Sequence, residues 1–215
     1  MRRATMACRL GVLLSGSGTN MENIAKQIDE GKLDASIEVV ISDRKDAYGL
    51  VRAERRGLRA VFVDPASFPD RESYDRELVR ILKGHQVDLV VLAGYMRLVT
   101  KAFLDEFPMR VMNIHPALLP AFPGTSAVAD ALAYGVRVTG VTVHFVDEGV
   151  DTGPIILQEA VPVFPTDEVE TLHQRLHQVE YRLYPEAIRL FCQGKLKIEG
   201  RRVLILENGT KGDKA

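Results

Sequence analysis

The feature that most constrains this chain is a repeated alternation. Short apolar runs at residues 8–14, 37–42, 59–63 and 87–93 are separated by longer stretches with helical periodicity. Consecutive apolar positions suit strands covered on both faces, and helices between successive strands suit parallel crossover connections. The expected fold is therefore α/β: a Rossmann-like open, mostly parallel sheet with helices on both faces. A turn at residues 16–20 is expected to open a helix running to about Glu30, with Gly31 as its stop. Further helices are expected over residues 47–56 and 70–83, ended by Gly57 and Gly84.

Beyond residue 137 the pattern changes. Residues 138–146 and 154–163 are strand-like but joined by a loop too short for a crossover helix, which predicts an antiparallel C-terminal strand pair. Residues 168–193 form a long helical pattern in which Pro185 predicts a kink or a division, and residues 195–206 read as a hairpin turning at Glu199-Gly200. A single domain over residues 8–206 and a flexible tail over 207–215 follow. Asn208-Gly209-Thr210 reads as a polar turn in that tail rather than a glycosylation site.

With 28 basic and 29 acidic residues the formal charge is −1, which gives no global attraction to nucleic acid or to anionic membrane. Small-molecule substrates are the expected ligands, with no nucleic-acid or membrane partner and a homodimer left open. The apolar run after Arg2 and Arg3 is interrupted by Gly11 and falls well short of the roughly 20 residues a membrane helix needs. Cys8 and Cys192 stand in no metal or redox spacing, so a reducing, cytoplasmic location is expected.

The chemistry concentrates in two segments. Asn113-Ile114-His115-Pro116-Ala117-Leu118-Leu119-Pro120 follows an apolar strand pattern, and Asp151-Thr152-Gly153-Pro154 answers it later in the chain. Side chains alternate along a strand, so Asn113 and His115 are expected on one side. Pro116 and Pro120 favour a rigid loop over another helix after the strand. Gly149 and Gly153 permit a tight backbone around Asp151, consistent with an inward carboxylate. An amide, an imidazole and a carboxylate with no nucleophile among them suit direct acyl transfer.

Ser15-Gly16-Ser17-Gly18-Thr19-Asn20 lies between a strand and a helix, where free N–H groups meet the positive end of a helix dipole. A dinucleotide fingerprint needs a third glycine at position 21, which is Met21, so a phosphomonoester is the better ligand than a pyrophosphate. A capped turn that binds nothing remains the alternative for this loop. His144 reads as a packed strand residue and His85 as a loop cap. His173 and His177 have the spacing of a metal pair, but Gln174 stands where a zinc protease needs glutamate, so the pair reads as a solvated helix face. Glu180 shares a face with His177 and is placed to reach ligand hydroxyls. Asp147 and Glu148 read as an acidic surface turn, and Arg52, Arg55 and Arg56 as a helix surface.

Taken in order, Gly16-Ser17-Gly18-Thr19-Asn20, Ala93-Gly94-Tyr95-Met96-Arg97-Leu98, Asn113-Ile114-His115-Pro116 with Leu118-Leu119-Pro120, and Asp151-Thr152-Gly153-Pro154 resemble the motifs of the phosphoribosylglycinamide formyltransferase family of folate-dependent enzymes. The likeness runs from about Arg9 to Gly194. It implies that Gly18, Thr19 and Asn20 bind the ribonucleotide phosphate and that Glu180 contacts the ribose. It implies that Arg71, Met96, Arg97, Leu98 and Val99 bind the co-substrate 10-formyltetrahydrofolate, with Asn113 beside the formyl oxygen. His115 corresponds to the family's catalytic histidine and Asp151 to its carboxylate partner; no metal is implied. Residues 125–128 occupy a loop that varies in the family, and His177 stands where members differ. The Asn, His and Asp core is shared with a deformylase and a tRNA formyltransferase, each of which carries an additional domain for which this chain has no room. A deformylase-like hydrolase, or a non-catalytic folate- or nucleotide-binding sensor, is therefore the alternative function.

Overall fold

The computed structural model describes residues 7–207. The apolar run at the start forms β1 (Cys8–Leu14), and the chain continues through α1 (Thr19–Asp29), β2 (Ala35–Ser42), α2 (Tyr48–Arg55) and β3 (Ala60–Phe62). A single 3-10 turn at Pro65–Ser67 leads into α3 (Arg71–Gly84), β4 (Leu89–Leu92), α4 (Lys101–Glu106) and β5 (Val111–His115). Then come α5 (Ala127–Tyr134), β6 (Val138–Phe145), β7 (Ile155–Pro162), α6 (Val169–Cys192), β8 (Leu196–Glu199) and β9 (Arg202–Ile205).

The nine strands form one sheet in the order β3-β2-β1-β4-β5-β6-β7-β9-β8. β3, β2, β1, β4 and β5 pair in parallel, whereas β6 is antiparallel to both β5 and β7 and β8 is antiparallel to β9. Alternating side chains send β1 Leu10, Val12 and Leu14 to one face, where α1, α2, α5 and α6 cover them, and Leu13 to the other, under α3 and α4. The same division splits β4, with Leu89 and Val91 on one face and Val90 and Leu92 on the other. Continuous apolar strands are thus explained by a sheet buried on both sides.

Several expectations need correction. α4 lies in a stretch for which no element was expected, and α5 begins where a loop was expected. Pro116 and Pro120 keep residues 116–126 irregular, but Ala127 and Val128, placed in a variable loop, begin α5 and are buried. α3 ends at Gly84 as expected, but the left-handed turn that follows falls on Gln86, with φ 54°, and not on the glycine.

Pro185 does not divide α6, which runs unbroken for 24 residues. A proline removes the N–H that would bond the carbonyl four residues earlier, here Tyr181. Asn23 of α1 satisfies that carbonyl, its Nδ2 donating at 2.6 Å. Nor are the arginines of α2 a plain surface: Arg56 donates to Glu22 and Asp29, tying α2 to α1. The Asn208-Gly209-Thr210 turn and the tail beyond Glu207 lie outside the described residues. No helix among the described residues is long and apolar enough to cross a membrane.

Candidate active site

From β1 the chain passes to β2 on one side, whereas from β4 it passes to β5 on the other. A crevice beyond the carboxyl ends of two such strands is the usual ligand site of an open α/β sheet. Here it holds a cavity of about 700 Å³, lined by the loop after β1, the loop after β4, the end of β5 and one face of α6. The two loops are stitched together. Ser15 N donates to the Gly94 carbonyl at 3.0 Å, and Met96 N donates to Ser15 Oγ at 2.9 Å.

One end of the cavity is built by the start of α1. Gly18 caps the helix with φ 73°, and no side chain caps it, so the first-turn N–H groups of Thr19 and Asn20 lack intrahelical acceptors. A Cβ at Gly18 would lie 2.6 Å from Gly49 Cα, so the close backbone approach foreseen for a ligand is made instead against α2. Arg52 Nε donates to the Ser17 carbonyl at 3.0 Å and holds the loop from outside. Asn20 is buried, its Nδ2 donating to Glu180 Oε2 at 2.9 Å while its Oδ1 has no partner. Burial would raise the Glu180 carboxyl, but its bonds to His177 and Asn20 outweigh that and hold it below the usual carboxylate range.

The other end is built by β5, β6 and the loop 147–153. Asn113 and His115 both line the cavity, as strand alternation predicts. Asp151 reaches them from a backbone with φ 53°, a left-handed conformation that costs about 1–3 kcal/mol in a non-glycine residue. The strain sits on the residue whose carboxylate faces the imidazole. Gly153 serves a different purpose, because a Cβ there would lie 1.8 Å from the Phe145 carbonyl oxygen.

Asp151 Oδ2 accepts from Gly124 N at 2.8 Å and faces His115 Nδ1 at 3.4 Å. Its Oδ1 faces Asn113 Nδ2 at 3.4 Å and His144 Nε2 at 3.6 Å. Burial works to raise the Asp151 carboxyl, yet His144, the Gly124 N–H and His115 together bring it below its ordinary value. His115 Nε2 meets the Phe122 carbonyl at 2.7 Å. Both ring nitrogens therefore face oxygen atoms.

His144 corrects the sequence reading. It is buried in a strand as expected, but it lines the cavity and pairs with Asn113 across β5 and β6. Its Nδ1 bonds the Phe145 carbonyl at 2.9 Å, and its Nε2 meets both Asn113 Nδ2 at 3.2 Å and Asp151 Oδ1 at 3.6 Å. The signal was an imidazole inside an apolar strand; the missing knowledge was the β5–β6 register. His173 and His177 are likewise not a solvated face, for both line the cavity.

The third wall is the loop after β4. Met96 and Leu98 are exposed on it, and Arg97 and Val99 line the cavity beside them. Helix α3 braces this loop: Arg71 Nη2 donates to the Leu98 carbonyl at 2.7 Å, and Asp75 Oδ2 accepts from Thr100 N at 2.6 Å. Arg71 itself does not line the cavity. Thus Gly18, Thr19, Asn20, Glu180, Met96, Arg97, Leu98, Val99, Asn113, His115 and Asp151 converge on one space, with Arg71 one bond outside it. Among the described residues no His, Cys, Asp and Glu side chains group as a metal site requires.

A Rossmann-like sheet with an amide, an imidazole and a carboxylate at its switch point defines a class, and residues 8–188 match the formyl transferase family. The chain belongs to that family. It is 40% identical over 181 residues to the phosphoribosylglycinamide formyltransferase of Bacillus subtilis, covering 84% of this chain and 93% of that one. To the Escherichia coli protein of the same name it is 39% identical, with 87% and 88% covered. Among solved structures, glycinamide ribonucleotide transformylase 1 from Symbiobacterium toebii superposes with a TM-score of 0.93 at 56% identity, covering 95% of this chain and 96% of that one.

Proposed function

We propose that this site transfers the formyl group of 10-formyltetrahydrofolate to the amine of 5'-phosphoribosylglycinamide, a step of de novo purine (IMP) biosynthesis. The names of the relatives support the reaction. The observation that carries it is the convergence of Asn113, His115 and Asp151 in the cavity that also holds the Gly18-Thr19-Asn20 turn.

The polar end fits a ribose phosphate monoester. Thr19 and Asn20 present helix N-terminal N–H groups to the phosphate, and Glu180 accepts from a ribose hydroxyl. The folate lies against Met96, Arg97, Leu98 and Val99, with Arg71 holding that segment from α3. Between them the amine attacks the formyl carbon directly to give a tetrahedral intermediate. On its collapse the bond from the formyl carbon to N10 of the folate breaks, the attacking nitrogen gives up a proton and N10 takes one, so that tetrahydrofolate leaves. In the intermediate negative charge develops on the formyl oxygen, where preorganised donors are worth about 3–4 kcal/mol each. Asn113 Nδ2, now engaged at 3.2 and 3.4 Å, turns its protons to that oxygen. His115, whose Nδ1 lies 3.4 Å from Asp151 Oδ2, in its protonated form is the second donor to that oxygen. Asp151 positions the ring and stabilises its charge. No covalent enzyme intermediate and no metal are required. One domain over residues 8–206 carries all of these groups, and a cytoplasmic location suits the free thiols of Cys8 and Cys192.

Incubation with both substrates, analysed for the formylated ribonucleotide, tests the proposal. Formyl product that appears only with the acceptor supports it, whereas formate released at the same rate without acceptor indicates a hydrolase. Sedimentation of the same preparation decides between a monomer and a homodimer.

A further inference from the structure

Three aromatic side chains form a ladder down one face of α6. The His173 and His177 rings lie 4.1 Å apart between centroids, and Tyr181 stacks on His177 at 5.7 Å with its plane 7° from parallel. His177 Nδ1 bonds Glu180 Oε2 at 2.8 Å, the same oxygen that accepts from Asn20. The pair is thus one carboxylate removed from the start of α1, and both rings face the cavity. Two imidazoles this close resist carrying two positive charges at once. Burial, and then the neighbouring His177, hold His173 below the ordinary histidine range, whereas the Glu180 bond raises His177.

We propose that His173 and His177 form a proton-accepting wall of the phosphate subsite, so that a phosphomonoester dianion binds together with a proton. The inference rests on the ribonucleotide site proposed above and adds a thermodynamic property to it. A dianion in that end of the cavity supplies the negative charge that allows the second ring to protonate. The proton comes from solvent or buffer and settles on an imidazole nitrogen, while Glu180 keeps its bond to His177.

Other charges facing the pair come from known places. Glu170 and Glu180 lie on α6 itself and favour the protonated rings. α1 contributes Thr19 and Asn20, which carry no charge, and the positive end of its dipole. Arg44, Asp147, Glu148 and Asp151 line the remaining walls. The arriving phosphate is the new charge in this set.

The test is calorimetric titration of the full chain with ribose 5-phosphate near pH 7.5, in several phosphate-free buffers of different ionisation enthalpy. With a second phosphate pKa of about 6 the free ester is almost wholly dianionic there, so it has little proton to release. Observed enthalpy should vary linearly with buffer enthalpy, reporting uptake of about 0.3–1 proton per ligand. His173→Gln/His177→Gln should lose the uptake and bind about fivefold or more weakly near pH 7. Should that variant fold poorly, the histidine ring resonances of the unsubstituted protein serve instead: two must titrate at higher pH with ligand bound. A buffer-independent enthalpy, or rings that titrate unchanged, overturns the inference. Binding that is weakened by Asn20→Ala in the same assay keeps the subsite intact under that failure, whereas binding untouched by Asn20→Ala overturns the subsite itself.

Discussion

The two ends of the cavity are held very differently. Around Asn20, Glu180 and His177 the polar contacts are 2.8–2.9 Å, the lengths of fully formed hydrogen bonds. Around Asn113 and His115 the contacts that face the reaction are 3.2, 3.4 and 3.4 Å, and the carboxylate that organises them hangs from a left-handed backbone. Catalytic hydrogen bonds are often long without substrate and tighten in the transition state. Under the proposed function the contrast divides the labour: the tight end would be complementary to the ground-state ligand, and the slack end to a charge that exists only during transfer.

The largest expected effect lies at the slack end. Asn113→Ala and His115→Ala should each lower kcat by about 100-fold or more while the ribonucleotide KM stays near its normal value, measured by steady-state kinetics. Turnover close to normal in either variant would erase the distinction between the ends. At the tight end Asn20→Ala should do the reverse, raising the ribonucleotide KM about fivefold with a smaller change in kcat.

A smaller effect concerns pH. The folded Glu180 carboxyl sits below its ordinary value, so its contribution to stability is complete above the ordinary pKa of about 4.3 and is lost as pH falls through the lower folded value. Thermal unfolding of Glu180→Gln should therefore converge with that of the unsubstituted protein as pH falls through the lowered folded value. A gap in Tm that persists unchanged into acid would mean that the carboxylate is not what stabilises this end.

Sequence pattern revealed much of this. β1 runs over the expected Cys8–Leu14, and the terminal hairpin turns at Gly200 with φ 60°. These elements are local, set by apolar runs and by glycine at positive φ. What stayed hidden depends on contacts between distant segments. α6 survives Pro185 because a side chain 158 residues away takes up the stranded carbonyl. His144 joins the site through the register of β6 on β5, and Arg56 becomes a tie between α2 and α1 because Glu22 and Asp29 come to meet it. Asn113, His115 and Asp151 were legible because polar residues at a strand end and in a glycine-bracketed turn have few structural reasons to be there. The two histidines of α6 were not, since helical spacing alone does not tell a cavity-facing stripe from a solvated one.

The most direct test of direct transfer is rapid mixing of excess enzyme with 10-formyltetrahydrofolate, with and without 5'-phosphoribosylglycinamide, following folate absorbance through a single turnover. The account predicts a single exponential that requires the acceptor. A stoichiometric loss of the formyl group from folate in the acceptor's absence, through a formyl-enzyme or through water, would contradict it.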